Sequence, residues 1–264
     1  MDDTANILFI GDIIGRPGRL AVKGLVPGLI AKYSPDVVIA NGENAAGGFG
    51  ITADVYEEIR GLKIDIITSG NHIWDKKEII DRMGEYSHSL IRPANYPAGA
   101  PGAGYTVFKS PSGKKIAVLN LSGRVFMDSL DCPFRTGMEA ARLLREETPV
   151  IVVDMHAEAT SEKAAMAWHL NGMASAVIGT HTHVQTSDER ILSGGTAFIT
   201  DAGMTGPTES VIGMNKEAVL HGFLAKMPQR FEVGSKGVEL QGVFVSVGTK
   251  DGRAKTIERI KLKL

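Results

Sequence analysis

The amino-acid sequence predicts an α/β fold built around a parallel β-sheet. Over residues 6–83, a short apolar run of strand type ends in polar residues and is followed by a helical pattern, and this happens three times. The order is typical of βαβ units, which place parallel strands side by side. With 264 residues, 43% of them hydrophobic, the chain is predicted to form one domain, residues 1–264, around a sizeable core.

The first unit begins with an apolar run over residues 6–14 that is interrupted by one carboxylate, Asp12. Such runs suit a parallel strand that is covered on both faces. Glycine and proline in residues 15–18 punctuate the chain before a helix that extends to about Lys32. Pro27 lies inside that helix and predicts a break or a kink there.

The second and third units follow the same plan. A strand over residues 36–40 ends in Asn41, Glu43 and Asn44, and Thr52 is a suitable N-cap for a helix over residues 53–60. A strand over residues 64–68 ends in Asn71 and His72. The pattern after it predicts a helix over residues 74–83.

The later chain mixes hairpins with further buried strands. Residues 105–108 and 115–121 flank a Pro-Ser-Gly turn and are predicted to pair antiparallel. Strand patterns over residues 150–153 and 176–178 lead to His156 and to His181 and His183. The remaining predicted elements are helices over 137–146 and 162–170, a hairpin of residues 189–192 and 196–200, and two or three antiparallel strands within 231–264.

The two histidines after the strand at 176–178 are separated by one residue. In extended backbone, His181 and His183 would point to the same side. They could then bind one metal ion, or two ions about 3.5–4 Å apart. The alternative is a pair of surface histidines in a loop.

Side chains that can bind a metal follow five chain-separated strands. Taken one at a time they have simpler explanations, because an Asp or Asn after a strand often caps a turn and a lone His is often a satisfied polar group. In open parallel sheets, however, ligands bind at the carboxyl ends of the strands. The combination predicts a metal site of nitrogen and oxygen ligands without thiolates, whose candidates are Asp12, Glu43, Asn44, Asn71, His72, His156, His181 and His183.

The order of these motifs, GDIIG, NGEN, GNHIWD, DMH and GTHTH, resembles the calcineurin-like metallophosphoesterases. Two departures matter. Ile14 stands where the family usually has a histidine ligand, and Glu43 followed by Asn44 stands where it usually has aspartate. Both departures occur together in the YmdB-like branch of bacterial cyclic-nucleotide phosphodiesterases, which the whole chain resembles. The resemblance implies two packed mixed β-sheets flanked by helices, in a single metallophosphoesterase domain.

The resemblance also implies two metal ions bridged by Glu43. One ion would be held by Asp12, Glu43, Asn44 and His183, and the other by Glu43, Asn71, His156 and His181. The ions would be divalent or mixed-valence, with iron or manganese favoured and zinc compatible with the ligands. His72 would protonate the leaving oxygen, and its alternative role is that of a cap or a support for a ligand.

The implied activity is the hydrolysis of 2′,3′-cyclic nucleotides by a metal-bound hydroxide, with weaker action on 3′,5′-cyclic nucleotides. Two alternatives stay open: a phosphomonoesterase on the same scaffold, and a nucleotide-sensing regulatory protein with structural metals. Other motif families fit poorly. The sequence lacks GxGxxG, the residues after His183 lack the acid of HxHxDH, and an amidohydrolase would carry its HxH on the first strand.

The composition limits which classes of binding partner and which cell compartment the sequence predicts. The chain has 29 Lys and Arg against 30 Asp and Glu, a balance that gives no sign of nucleic-acid binding. No apolar run is long enough to predict a membrane span. An acidic N-terminus that leads straight into a strand and a single cysteine, Cys132, predict a cytoplasmic protein without internal disulfides. We expect Cys132 to be a small buried residue, and the sequence allows a homo-oligomer.

Overall fold

Two mixed β-sheets pack face to face, with helices on their outer surfaces, in the computed structural model, which describes residues 3–264. This arrangement confirms the predicted fold class. No helix among the described residues is both long and apolar enough to cross a bilayer.

The strands and helices are as follows. The strands are β1 (Thr4–Ile10), β2 (Asp12–Ile13), β3 (Val37–Asn41), β4 (Ile66–Thr68), β5 (Tyr105–Lys109), β6 (Lys115–Ser122), β7 (Ile151–His156), β8 (Ala176–Thr180), β9 (Arg190–Ile191), β10 (Ala197–Ile199), β11 (Met204–Pro207), β12 (Val238–Gly248) and β13 (Ala254–Lys263). The α-helices are α1 (Gly15–Tyr33), α2 (Ala53–Gly61), α3 (Met83–Tyr86), α4 (Pro133–Glu147), α5 (Thr160–His169) and α6 (Lys216–Ala225), and a 3₁₀ helix spans Lys77–Arg82.

The first sheet has the order β2-β11-β12-β1-β3-β4, with β13 paired to β12. Strands β1, β3 and β4 are parallel, as the repeated units predict, whereas β12 runs antiparallel to β1, β11 and β13. The second sheet has the order β5-β6-β7-β8-β10-β9. Its four central strands are parallel, and both predicted hairpins form its antiparallel edges.

The apolar residues form three layers. One fills the space between the sheets and includes Phe9, Ile39, Val152 and Ile178. The other two pack helices against the outer faces: α1 and α2 on the first sheet, α4 and α5 on the second. Strands buried on both faces explain why the sequence shows continuous apolar runs instead of alternation.

The predicted strand over residues 6–14 is in fact two strands. Strand β1 ends at Ile10, and β2 begins at Asp12 and pairs with β11 instead of β3. Gly11 lies between them, where an added Cβ would come 2.1 Å from the carbonyl oxygen of Gly203. The close approach of two backbones at this point requires glycine, and Asp12 follows directly as the first residue of β2.

The predicted break at Pro27 does not occur. Helix α1 is continuous through Pro27, and it starts at Gly15, so the residues expected to form a separate turn are its first turn. Val22, Val26 and Leu29 are buried on both sides of the proline. Their packing against the first sheet stabilises a continuous helix and outweighs the local preference for a break.

Two other local predictions are wrong. Residues 74–83 form turns and a 3₁₀ helix, with an i→i−3 hydrogen bond from Ile79 N to Lys76 O, because little beyond Ile79 and Met83 is buried in this polar stretch. Cys132 is only partly buried, at the N-cap of α4, where backbone N–H groups lower its pKa.

Strand β11 and helix α6 lie in a region for which the sequence predicted no elements.

A buried ion pair joins α5 to the chain that follows β10. Lys163 Nζ lies 2.7 Å from Asp201 Oδ2, and neither side chain is more than 1% exposed. Asp201 Oδ2 also accepts hydrogen bonds from the N–H (3.1 Å) and hydroxyl (2.7 Å) of Thr182. Since Thr182 separates His181 from His183, the ion pair anchors the loop that carries both histidines.

Replacing Lys163 by methionine should lower the free energy of unfolding by about 3–5 kcal/mol, because the Asp201 carboxylate would stay buried without its cation. Lys23→Met, at an exposed position of α1, is the matched control and should change it by less than about 0.5 kcal/mol. Urea denaturation followed by circular dichroism measures both. Equal, small effects of the two substitutions would show that the loop does not depend on the pair.

Candidate metal centre

The strand ends bring the predicted ligands to one edge of the two sheets. Two groups of side chains have ligand atoms that all lie within 4.8 Å of one another: Glu43, His156 and His181 in one, and Asp12, Glu43 and His183 in the other. Glu43 belongs to both groups. The elements that carry them are β2, the loop after β3, the end of β7 and the loop after β8.

In the first group, three polar atoms surround one ring nitrogen. His156 Nε2 lies 3.1 Å from Glu43 Oε1 and 3.0 Å from Asn71 Oδ1. It also lies 3.0 Å from His181 Nδ1. One ring nitrogen carries at most one proton, which cannot serve three acceptors. The donor set therefore fits a cation at this position.

In the second group, a buried carboxylate oxygen lacks a donor. Asp12 Oδ1 has no hydrogen-bond partner among residues 3–264, and His183 Nε2 lies 3.9 Å from it. Asn44 Nδ2 lies 3.0 Å from Glu43 Oε1 and 3.2 Å from His183 Nε2. The Asn44 amide thus faces the group with its nitrogen, and a half-turn of the amide would present the oxygen instead. A buried carboxylate is costly without a positive partner, so this group also fits a cation.

Each histidine is held through the nitrogen that does not face its group. His156 Nδ1 lies 3.0 Å from Thr180 Oγ1, and His181 Nε2 lies 3.2 Å from Glu158 Oε2. His183 Nδ1 donates to the Ile212 carbonyl at 2.8 Å. Partners of this kind fix the tautomer and leave the second nitrogen free as a metal ligand.

The pKa values reflect crowded charges. Burial raises the pKa of Asp12 well above its usual value. Burial also opposes ionisation of Glu43, but the charge of His156 outweighs it and lowers the pKa of Glu43 to about 2. Burial lowers the pKa of His156, yet Glu43 and Asp12 raise it to about 9. Burial, with His156 nearby, lowers the pKa of His181 to about 3.

Asp154, fully buried at the end of β7, organises the support behind these residues. Its carboxylate accepts hydrogen bonds from Asn41 Nδ2 (3.1 Å), Thr180 Oγ1 (2.6 Å) and Thr68 Oγ1. Asn41 Oδ1 in turn accepts the N–H of Glu43 at 3.1 Å. Asp154 therefore ties β3, β4, β7 and β8 together directly behind the candidate ligands.

The loop that carries the two histidines is not extended, contrary to the sequence-based expectation. His181 has φ 96° and His183 has φ 64°, values that are uncommon outside glycine. Ile212, whose carbonyl binds His183, also has a positive φ of 46°. The turn directs the two histidines into different groups instead of one. Backbone strain of this kind concentrates at functional sites.

The absence of a side chain at Gly70 makes room for the first group. A Cβ at this position would lie 2.2 Å from both Glu43 Oε2 and His156 Nε2. Glycine is thus required here because the chain after β4 passes close to the candidate ligands. Its backbone conformation does not require glycine, since its φ is not positive.

His72 lies beside the two groups. Its N–H donates to Glu43 Oε2 at 3.2 Å, and its Nδ1 lies 2.9 Å from Asp75 Oδ2. The Phe49 ring packs edge-on against it, with ring centroids 5.1 Å apart. Because Asp75 engages Nδ1, Nε2 is the ring nitrogen that remains for a ligand.

A cleft of about 510 Å³ opens onto this site, a size suited to a small ligand. Its lining includes Glu43, Asn44, His72, His181 and His183. Most of the other lining residues are apolar, with side chains from α6 and from the loops on either side of it.

The structure brings together all the site residues predicted from the sequence. Asp12, Glu43, Asn44, Asn71, His156, His181 and His183 contribute to the two groups or contact them, and His72 borders the cleft beside them. The supporting residues Asn41, Asp75, Asp154, Lys163 and Asp201 were not predicted. Asp154 could have been noticed, because it lies two residues before His156 on the same face of β7.

The chain is similar to known proteins along nearly its whole length. The family model of the YmdB-like proteins matches residues 8–260. The chain is 50% identical over 254 residues, 96% of each chain, to a Bacillus subtilis protein named 2′,3′-cyclic-nucleotide 2′-phosphodiesterase. It is 36% identical to a putative phosphatase/phosphodiesterase of Mycoplasma genitalium, over 99% of this chain and 94% of the relative.

Two solved structures are also similar. A crystal structure of a novel phosphatase of Mycoplasma pneumoniae has a TM-score of 0.92 at 34% identity, covering 100% of this chain and 95% of that one. A crystal structure of a hypothetical Thermus thermophilus protein has a TM-score of 0.89 at 41% identity, covering 98% and 99%. The likeness confirms the predicted calcineurin-like metallophosphoesterase sandwich, and the chain belongs to the YmdB-like protein family.

Proposed function

We propose that this chain is a dinuclear-metal phosphodiesterase that hydrolyses 2′,3′-cyclic nucleotides, with residues 1–264 acting as one domain. The observation that carries the proposal is the pair of largely buried donor groups that share Glu43 and lie, with His72, beside one cleft. The Bacillus subtilis relative, half identical over nearly the whole chain, supports the choice of substrate.

The donors suit two metal ions. Asp12, Glu43, Asn44 and His183 would hold one, and Glu43, Asn71, His156 and His181 the other. Oxygen and imidazole ligands without thiolate favour iron or manganese and are compatible with zinc. When bound, two such ions supply an activated water and stabilise the charge on the attacking and leaving oxygens.

Supporting residues of the chain keep the ligands ready for these ions. Thr180 and Glu158 hold His156 and His181 through the nitrogens that face away from the first group. The Ile212 carbonyl does the same for His183. Ligands held in this way need no reorganisation when the ions bind, and loss of such partners costs about 10–100-fold in metal affinity or activity.

His72 acts on the leaving group. The name of the Bacillus subtilis relative specifies the bond to the 2′ oxygen, and we extend this to the present chain. Breaking that bond produces an alkoxide, a poor leaving group that needs a proton. His72 borders the cleft, and Asp75 holds its ring through Nδ1, which leaves Nε2 as the nitrogen for the substrate. His72 therefore donates the proton to the 2′ oxygen, and the product carries a 3′-phosphate.

A second candidate activity is phosphomonoester hydrolysis. The Mycoplasma genitalium relative is named putative phosphatase/phosphodiesterase, and a similar solved structure is called a phosphatase. A monoester and a diester would use the same donors, so the substrate separates the two activities. Purely regulatory sensing is less well supported, since it gives no role to His72 beside the two groups.

A substrate panel tests the proposal. On metal-loaded protein, kcat/KM for 2′,3′-cyclic AMP should exceed that for 3′,5′-cyclic AMP and for the monoester AMP by roughly ten-fold or more. Glu43→Gln should abolish the activity, whereas Glu57→Gln, at an exposed position of α2, should not change it. A preference for the monoester would support the phosphatase alternative instead.

The leaving group tests His72. His72→Ala should slow 2′,3′-cyclic AMP hydrolysis by about 10²–10⁴, the usual contribution of a general acid. Hydrolysis of a p-nitrophenyl phosphodiester should fall far less, because nitrophenolate needs little protonation. Metal content should stay at the wild-type value, and His88→Ala, at an exposed site, is the matched control.

Steady-state rates on both substrates, with elemental analysis, make this measurement. Equal losses on the two substrates with intact metals would assign His72 to substrate positioning. Equal losses with metal missing would make it a ligand or a support for one.

A further inference from the structure

Exposed phenylalanines are concentrated around the candidate metal centre. Among residues 3–264, the phenylalanines with large exposure are Phe126 (90%), Phe223 (66%) and Phe231 (44%). Phe223 and Phe231 line the cleft that holds the candidate ligands, and Phe126 lines a smaller cavity beside Asn71 and His181. Large exposed apolar side chains are normally scattered, so this placement calls for an explanation.

The lining of the cleft is of two chemical kinds. One part consists of candidate metal ligands and His72. The other part, the apolar wall, consists of Val211, Ile212, Met214, Val219, Phe223 and Phe231. Because both parts line one cavity, a ligand whose phosphate lies at the metal centre can place the rest of its structure against this wall.

None of the six side chains of the apolar wall carries a hydrogen-bond donor. A part of the ligand that reaches the wall must therefore be flat or apolar and is recognised by contact area. Phenylalanine rings supply a stacking surface for a π system. A nucleobase meets these requirements, whereas a second phosphate or a sugar does not.

We propose that the apolar wall binds the nucleobase of the cyclic nucleotide, with Phe223 and Phe231 as the stacking residues. The inference rests on the proposed function and adds to it the element that recognises the base. Stacking is tolerant of base identity, because every base has a π face. The enzyme should therefore accept all four bases and favour purines, which offer the larger stacking area.

The test compares 2′,3′-cyclic AMP with methyl riboside 2′,3′-cyclic phosphate, which has the same reacting group and no base. For 2′,3′-cyclic AMP, Phe223→Ala should raise KM about 10-fold or more, the effect expected from losing one aromatic platform. The value of kcat should stay within about two-fold, because the substitution is remote from the reacting bond. The KM for the base-free substrate should not change in Phe223→Ala. Phe223→Tyr, which keeps an aromatic ring, should have the wild-type KM for 2′,3′-cyclic AMP.

Two matched controls are available. Leu224→Ala alters the next residue of α6, which is 85% exposed and does not line the cleft. This substitution should leave KM unchanged for both substrates. Phe126→Ala removes the exposed phenylalanine on the other side of the centre and should also have no effect. If Phe126→Ala, and not Phe223→Ala, raised KM for 2′,3′-cyclic AMP alone, the assignment of the base to the apolar wall would be wrong.

The inference and the proposed function fail in different ways. If wild-type protein hydrolyses both cyclic phosphates with equal KM, or if Phe223→Ala raises KM equally on both, the base assignment is wrong and the phosphodiesterase stands. If neither cyclic phosphate is hydrolysed, the proposed function is wrong.

In that case, equilibrium dialysis tests whether the apolar wall binds a base. Adenosine 3′-monophosphate should bind metal-loaded protein more tightly than inorganic phosphate, and Phe223→Ala should remove the difference. Equal binding of the two would overturn the assignment.

Discussion

Burial of carboxylates at the strand ends is the constraint that the rest of this structure depends on. Asp12, Glu43, Asp154 and Asp201 are almost fully buried. Asp201 is neutralised by Lys163, and Asp154 is satisfied by hydroxyl and amide donors. Among the described residues, neither Asp12 nor Glu43 has a lysine or arginine partner. One oxygen of Asp12 lacks any partner there, and Glu43 relies on His156 and on hydrogen bonds from Asn44 and His72. Charges buried in this way are tolerated when they are paired or bind metal ions.

The architecture serves that arrangement. Parallel strands of two sheets end at one edge, so residues distant in sequence meet without long loops. Asp154 links four of these strand ends, and the Lys163–Asp201 pair holds the turn with both histidines. A site supported by strands and a satisfied polar network can keep ligand positions that a mobile loop could not.

The sequence predicts the inner part of this site better than its surroundings. Ligand types at strand ends are visible from local patterns, and Asp12, Glu43 and His156 needed no structure to be proposed. The backbone at His181 and His183 was not predictable, since it depends on contacts made through space, by Thr182 with Asp201 and by His183 with Ile212. Helix α1 across Pro27 and the division of the first apolar run at Gly11 were likewise decided by tertiary packing. The apolar wall was not predicted either, because Phe223 comes from a region for which the sequence predicts no element and Phe231 begins a stretch predicted to be strands.

The most direct test of the account is anomalous scattering from crystals of the metal-loaded protein, combined with elemental analysis. We expect two ions per chain, with Glu43 between them and Asn44 Oδ1 about 2.0–2.3 Å from one of them, the range for oxygen ligands. We also expect His156 and His183 to bind different ions. A single fully occupied ion, with His156 or His183 remote from it, or an Asn44 side chain turned to solvent, would contradict it.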